Sequence, residues 1–158
     1  MVSVRRMLNY DINVLEEKYN VKLDDVQLNA LSSLIHFVEH ERYKNSICLS
    51  GKPGSGKTTL LKMLIDILNQ NRISYEIATP TNKAKTLLGN RAVTIHSMLN
   101  LQPNLNILNF DARDIDYKSN NNYLPSNCIV IIDECSMIND DLYYQLMDMC
   151  KKYHNCII

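Results

Sequence analysis

Eight consecutive residues, Gly51-Lys52-Pro53-Gly54-Ser55-Gly56-Lys57-Thr58, satisfy the spacing G-x-x-x-x-G-K-[ST] in full. That spacing does one kind of chemistry. Its glycines let the main chain come within reach of an anion, successive N–H groups turn inward as a nest, and a helix beginning near Gly56 aims its positive end at the same point. Lys57 is placed to reach the β- and γ-phosphates of ATP, Thr58 to offer a hydroxyl to Mg2+, and Thr59 to continue the helix. The chain has 4 glycines and three of them fall in this stretch, so glycine is concentrated where backbone must approach a ligand. The expected ATP contacts are Gly51, Pro53, Gly54, Ser55, Gly56, Lys57, Thr58 and Thr59.

A phosphate loop of this kind needs a carboxylate at the end of a neighbouring strand to hold the magnesium. Asp133 stands directly after the apolar run 128–132, and Glu134 follows it. One residue along, a glutamate can point at the attacking water and act as base or orienter. The expected catalytic set is therefore Lys57, Asp133 and Glu134, with Thr58 and Asp133 as the Mg2+ ligands and ATP and Mg2+ as the cofactors.

The surrounding pattern must supply the elements that hold these groups. Residues 46–50 read as a short buried strand running into the loop, and residues 57–69 carry Leu60, Leu61, Leu64, Ile65 and Leu68 as the buried stripe of a helix. Residues 73–78 alternate as a second strand, and 80–88 have helical spacing with Gly89 as a C-cap. Residues 24–43 predict an amphipathic helix behind aspartate caps, 128–132 the strongest strand, 140–153 a helix, and 155–158 the start of another strand. Apolar strands alternating with amphipathic helices predict an α/β fold, a parallel sheet with helices on both faces, whose ligands sit at the carboxyl ends of the strands. Residues 100–127, rich in Asn, Asp and Ser between Pro103 and Pro125, read as an insertion.

Four segments carry a resemblance beyond the bare phosphate loop. Asp133-Glu134-Cys135-Ser136-Met137 resembles the Asp-Glu-x-Ser-Met form of motif II in the RecD/Dda-like branch of superfamily 1 DNA helicases. Ile77-Ala78-Thr79-Pro80-Thr81-Asn82-Lys83-Ala84 is similar to motif Ia of that family, and Thr94-Ile95-His96-Ser97 resembles the box that follows it. Upstream, Leu23-Asp24-Asp25-Val26-Gln27-Leu28-Asn29-Ala30 is similar to the family's glutamine motif. The resemblance implies a RecA-like P-loop NTPase domain over 23–158 behind an N-terminal extension at 1–22, with Gln27 reading the adenine. It implies single-stranded DNA as partner and 5′ to 3′ translocation in the complete protein. Thr79, Pro80, Thr81, Asn82, Lys83 and His96 would touch the strand. Residues 100–127 take the place of a strand-separating hairpin, with Phe110 and Tyr117 as stacking residues. The family's motif III and its second motor domain lie beyond Ile158, so the resemblance implies a motor domain incomplete at the C-terminus, with feeble hydrolysis and no unwinding by this chain alone.

Composition narrows the class. Hydrophobic residues make up 46% and charged residues 22% of the chain, ordinary for a globular domain. No apolar run approaches the about 18 residues of a membrane span, so no membrane partner is expected. Five cysteines without a C-x-x-C pair suit free thiols in the cytoplasm. His36 with His40, and Cys150, His154 and Cys156, offer too few well-spaced ligands for zinc. Net charge is zero, yet seven cations (Lys52, Lys57, Lys62, Arg72, Lys83, Lys85, Arg91) face two anions (Asp66, Glu76) between Gly51 and Arg91. That local excess suits polyanions, and it also suits a solvated helix surface. Two other readings share the phosphate loop: a nucleoside or small-molecule kinase, for which an arginine-rich lid is wanting, and a non-catalytic module switched by ATP. All three require Lys57. Lys57→Ala is expected to abolish nucleotide uptake in calorimetry, and unchanged ATP affinity in that variant would remove the phosphate-loop assignment.

Overall fold

The computed structural model describes residues 7–41, 46–80, 92–99 and 124–158. From the amino end these form α1 (Ile12–Tyr19), α2 (Asp25–His36) with a wider π-helical turn at Phe37–Glu41, and α3 (Lys57–Gln70). There follow β1 (Tyr75–Thr79), β2 (Val93–Thr94), α4 (Ile95–Met98), β3 (Ile129–Ile132), a 3-10 turn at Cys135–Met137, α5 (Asp140–Lys152) and β4 (Cys156–Ile157). The strands make one sheet in the order β2-β1-β3-β4, every pair parallel. The helix expected at 80–88 lies outside the described residues, as does nearly all of the 100–127 insertion.

β3 decides the layering. All four of its residues are buried, because successive side chains point to opposite faces and both faces are covered. Ile129 and Ile131 join a core with Leu31, Leu34, Leu64 and Ile67, so α2 and α3 cover that face. Cys128, Val130 and Ile132 join a second core with Ile95, Leu142 and Leu146, so α4 and α5 cover the other. Burying each such aliphatic side chain is worth about 1.5–3 kcal/mol, and two apolar layers therefore hold β3 in place.

Residues 46–50, expected as a full strand, meet the sheet through a single parallel bridge between Ser46 and Ile157 and one hydrogen bond from the Ile47 N–H to the Ile157 carbonyl at 3.0 Å. Their neighbour on this edge is β4 (Cys156–Ile157). The segment nevertheless adds a position beyond β4, which brings its downstream end, Gly51, toward the carboxyl end of β3.

Helix 24–43 does not run through as one α-helix. The π-helical turn at its end carries Phe37 and Val38 into the core at 1% and 2% exposure. The amino-terminal stretch is part of the same body. Leu8 and Leu15 lie in the first core, and α1 is tied to α3 where Lys18 and Tyr19 donate to Asp66 at 2.6 and 2.9 Å. Among the described residues no helix is long and apolar enough to cross a membrane.

Glu16, buried on α1, accepts hydrogen bonds from the Lys22 ammonium at 2.7 Å and the Leu23 N–H at 2.8 Å. The Lys22 bond first, and then the Leu23 amide, hold its carboxyl below the usual 4.5. A carboxyl lowered in the folded state adds stability above pH 4.5 that is lost as pH falls through the lower folded value. Glu16→Gln is expected to remove this part of the acid sensitivity. Urea denaturation followed from neutral to acid pH checks it: the wild type should lose stability more steeply than the variant below pH 4.5.

Candidate functional site

α3 starts without a side-chain cap. Its N-cap is Gly56, left-handed at φ 85°, and no side chain accepts from the first turn. The N–H groups that open α3 are thus left pointing out of the helix axis, where an anion can take them. Gly54 is also left-handed at φ 77°, so the two glycines supply the backbone turns that L side chains resist. Gly51 serves by close approach instead, since a Cβ there would lie 2.8 Å from the Ser55 Oγ.

Lys57, first residue of α3, folds back over the loop. Its ammonium donates to the Gly51 carbonyl at 2.7 Å and to the Lys52 carbonyl at 2.9 Å. The charge therefore rests on neutral acceptors of its own loop. Thr58 and Thr59 follow on the first turn of α3, both half-buried.

Asp133 leaves the end of β3 half-buried, its N–H donating to the Ala78 carbonyl at 3.3 Å and its Oδ1 accepting the Glu134 N–H at 3.0 Å. Glu134 is left-handed at φ 59°, ψ 39° and exposed. For a residue with a Cβ that conformation costs about 1–2 kcal/mol, and such outliers gather at functional sites. It turns the chain sharply into Cys135–Met137, so Asp133, Glu134 and Cys135 face one space. Gly51, Pro53 and Lys57 line a cavity of about 630 Å³ together with Asp133 and Glu134. Two segments far apart in sequence, chosen for complementary chemistry, thus share one concavity. Its far wall is apolar, with Ile132, Tyr143, Leu146, Met147 and Ile157.

Gln27 sits in a capping box at the start of α2, its Oε1 accepting the Asp24 N–H at 3.1 Å. Its Nε2 donates to the Ser55 carbonyl at 3.2 Å. Both ends of the amide are engaged within the protein, which fixes Gln27 against the phosphate loop.

The expected strand contacts divide. Thr79 ends β1 fully buried, packed inside the sheet layer where a surface ligand cannot reach it. Pro80 is half-buried and His96 exposed on α4. α4 is capped by Thr94, whose Oγ1 accepts the Ser97 N–H at 3.1 Å, so in the Thr-Ile-His-Ser box the threonine shapes the turn and the histidine is left outward. Thr81, Asn82, Lys83, Phe110 and Tyr117 lie outside the described residues.

The cysteines, expected as free thiols, fall into two groups. Cys128 and Cys150 are buried between sheet and α5, and burial first of all pushes them up to about 11 and about 12. Cys48 and Cys135 are exposed and both line the cavity. Burial, and then Cys48, raises the Cys135 thiol above its ordinary value. Two single cysteines separated by most of the chain carry no spacing signal.

A family model described as an AAA domain matches residues 35–158. The chain belongs to the AAA domain family. With its phosphate loop complete, this AAA domain is of the ATP-binding, ATPase kind. The domain is similar to the ATP-dependent DNA helicase dda of Enterobacteria phage T4, at 29% identity over 133 residues, or 79% of this chain. Those residues are 28% of that helicase, so the AAA domain spans little more than a quarter of this relative. The resemblance to the RecD/Dda-like branch thus extends well past the separate motifs. The family match begins within α2, which leaves Gln27 ahead of it.

The glycine conformations are separable by substitution. Gly54→Ala is expected to cost about 1–2 kcal/mol for its left-handed backbone alone, since a Cβ there meets nothing within 4 Å. Gly56→Ala should cost more, because its Cβ would fall 2.8 Å from the Gln27 Nε2. Adding Gln27→Ala to Gly56→Ala is expected to return the excess. Urea denaturation of the four proteins measures the coupling.

Proposed function

We propose that this AAA domain binds Mg·ATP at the 51–58 loop, hydrolyses it, and serves as a motor domain acting on single-stranded DNA within a DNA helicase of 5′ to 3′ polarity. The observation that carries the reading is the shared cavity: an ammonium on a helix N-terminus and two consecutive acids at a strand end face one space. A kinase or a passive switch needs the ammonium and the first acid, and has no need of Glu134 held out in a strained turn.

In this reading the N–H groups of residues 54–58 receive the phosphate oxygens, and Lys57 exchanges the Gly51 and Lys52 carbonyls for the β- and γ-phosphates. The residues fit a magnesium ion. The Asp133 carboxylate, which lines the cavity and accepts its neighbour's N–H through one oxygen, and the Thr58 hydroxyl, next to the cavity-lining Lys57, are hard oxygen donors. They would hold the ion, which when bound neutralises charge on the β- and γ-phosphates. Glu134 accepts a proton from the attacking water or orients it. Gln27 reads the adenine edge once its amide leaves the Asp24 and Ser55 backbone, since a side-chain amide can both donate and accept there.

For DNA, Pro80, Thr81, Asn82, Lys83 and His96 form the proposed contact, with Phe110 as a stacking residue and Thr79 restricted to shaping the strand end. Their hydroxyl, amide and cationic groups are common phosphate partners. Support comes from the likeness to a relative named as a DNA helicase and from the position of Pro80 and His96 close after the carboxyl ends of β1 and β2, where ligands of open α/β sheets bind.

Glu134→Gln is expected to keep Mg·ATP affinity in calorimetry while turnover drops about 10²–10⁴-fold. Hydrolysis by the unmodified chain should rise when an oligothymidine strand is added. Absent uptake of Mg·ATP by folded protein would overturn the nucleotide reading, and hydrolysis indifferent to DNA would overturn the motor reading.

A further inference from the structure

A phosphate loop grips its ligand only if several backbone N–H groups converge, and this loop's own backbone is free to scatter them. Ser55 stands between Gly54 and Gly56, left-handed at φ 77° and 85°, and glycine has the widest choice of conformations to lose when a ligand fixes it. Bonds within the loop restrain part of it. The Ser55 N–H donates to the Lys52 carbonyl at 3.2 Å, and the Lys57 ammonium holds the carbonyls of Gly51 and Lys52. These tie the loop to itself and to the first turn of α3.

Gln27 ties it to a different element. Its Nε2 donates to the Ser55 carbonyl at 3.2 Å, and a Cβ on Gly56 would fall 2.8 Å from that same nitrogen. The amide therefore lies against the peptide that joins Ser55 to Gly56. It is itself held at the other end, where its Oε1 accepts the Asp24 N–H at 3.1 Å while the Gln27 N–H donates to the Asp24 Oδ1 at 2.8 Å. This capping box removes the rotamer freedom of an ordinary surface glutamine. Behind it, α2 shares the first core with α3 through Leu31, Leu34, Leu60 and Leu64, so the loop is fastened to a packed helix.

We propose that Gln27 is a positioning residue for the phosphates themselves, holding the Ser55–Gly56 peptide so that a phosphate chain meets a loop already in shape, whatever base it carries. The inference rests on the nucleotide reading above and adds a use of Gln27 that needs no adenine. A trans peptide is planar, with its carbonyl and its N–H pointing opposite ways. Drawing the Ser55 carbonyl to Gln27 thus fixes the Gly56 N–H facing away from α2, as one of the donors the phosphates require. Without the tie this peptide can turn over, and binding must first order it, which weakens binding. Base-free phosphate separates the two uses of the amide, since with no adenine to meet it stays on Ser55.

Calorimetry of the whole chain with Mg·tripolyphosphate, on wild type, Gln27→Met and Gln27→Glu, tests this. Methionine is neutral and has no N–H to donate; glutamate keeps the oxygen that accepts the Asp24 N–H, and with it the capping box, but lacks the donor. Both variants are expected to bind tripolyphosphate about fivefold more weakly, the worth of one ordinary hydrogen bond, with the wild-type number of sites per chain. Fewer sites at unchanged affinity would mark loss of folded protein, and overturns the positioning role. Full affinity in Gln27→Met also overturns it, even where Gln27→Glu binds weakly, because the added charge then accounts for the difference. Wild type that takes up Mg·ATP and no tripolyphosphate overturns this inference and leaves the nucleotide reading standing. Wild type that takes up neither removes both.

Discussion

A parallel sheet cannot leave a face wet, and β3 meets that constraint without a single polar residue. Ile129 and Ile131 go one way and Val130 and Ile132 the other, so α2 and α3 must lie on one side and α5 on the other. From that arrangement the site follows. β3 can end only where its cover ends, which is where Asp133 and Glu134 begin, and α3 can pack on the first face only with its amino end turned to the same rim. The carboxylates and the uncapped N–H groups are neighbours because two apolar layers leave them nowhere else to be.

The alternation of apolar runs and amphipathic stretches was enough to read α3, β3 and α5 to within a residue or two, because in each the buried stripe is continuous. It was also enough for the phosphate loop and the acids after β3, whose chemistry demands particular residue types at fixed spacing. The resemblance added the family, with which both the AAA match and the relative agree, and the glutamine upstream, which the family match does not reach.

What the pattern did not disclose is tertiary. α1 is eight residues long, too short for periodicity to stand out, and what holds it is Asp66 on α3 and Lys22 beyond its own end. The π-helical turn at Phe37–Glu41 leaves no mark in the apolar pattern, which continues at helical spacing. Thr79 has the hydroxyl expected of a phosphate contact, and its burial at the end of β1 is not visible in the sequence pattern. Residues 46–50 meet the sheet through Ile157, a partner far along the chain.

The resting position of Lys57 has a thermodynamic corollary. Two carbonyls hold its ammonium at 2.7 and 2.9 Å. On the proposed reading, a triphosphate that takes this ammonium gains the difference between two sets of acceptors, and less than a bare charge would give. The same pair of oxygens stands ready when a phosphate is lost. A lysine with somewhere to return to makes spent nucleotide easier to let go, and turnover in a cycling enzyme is often limited at that step.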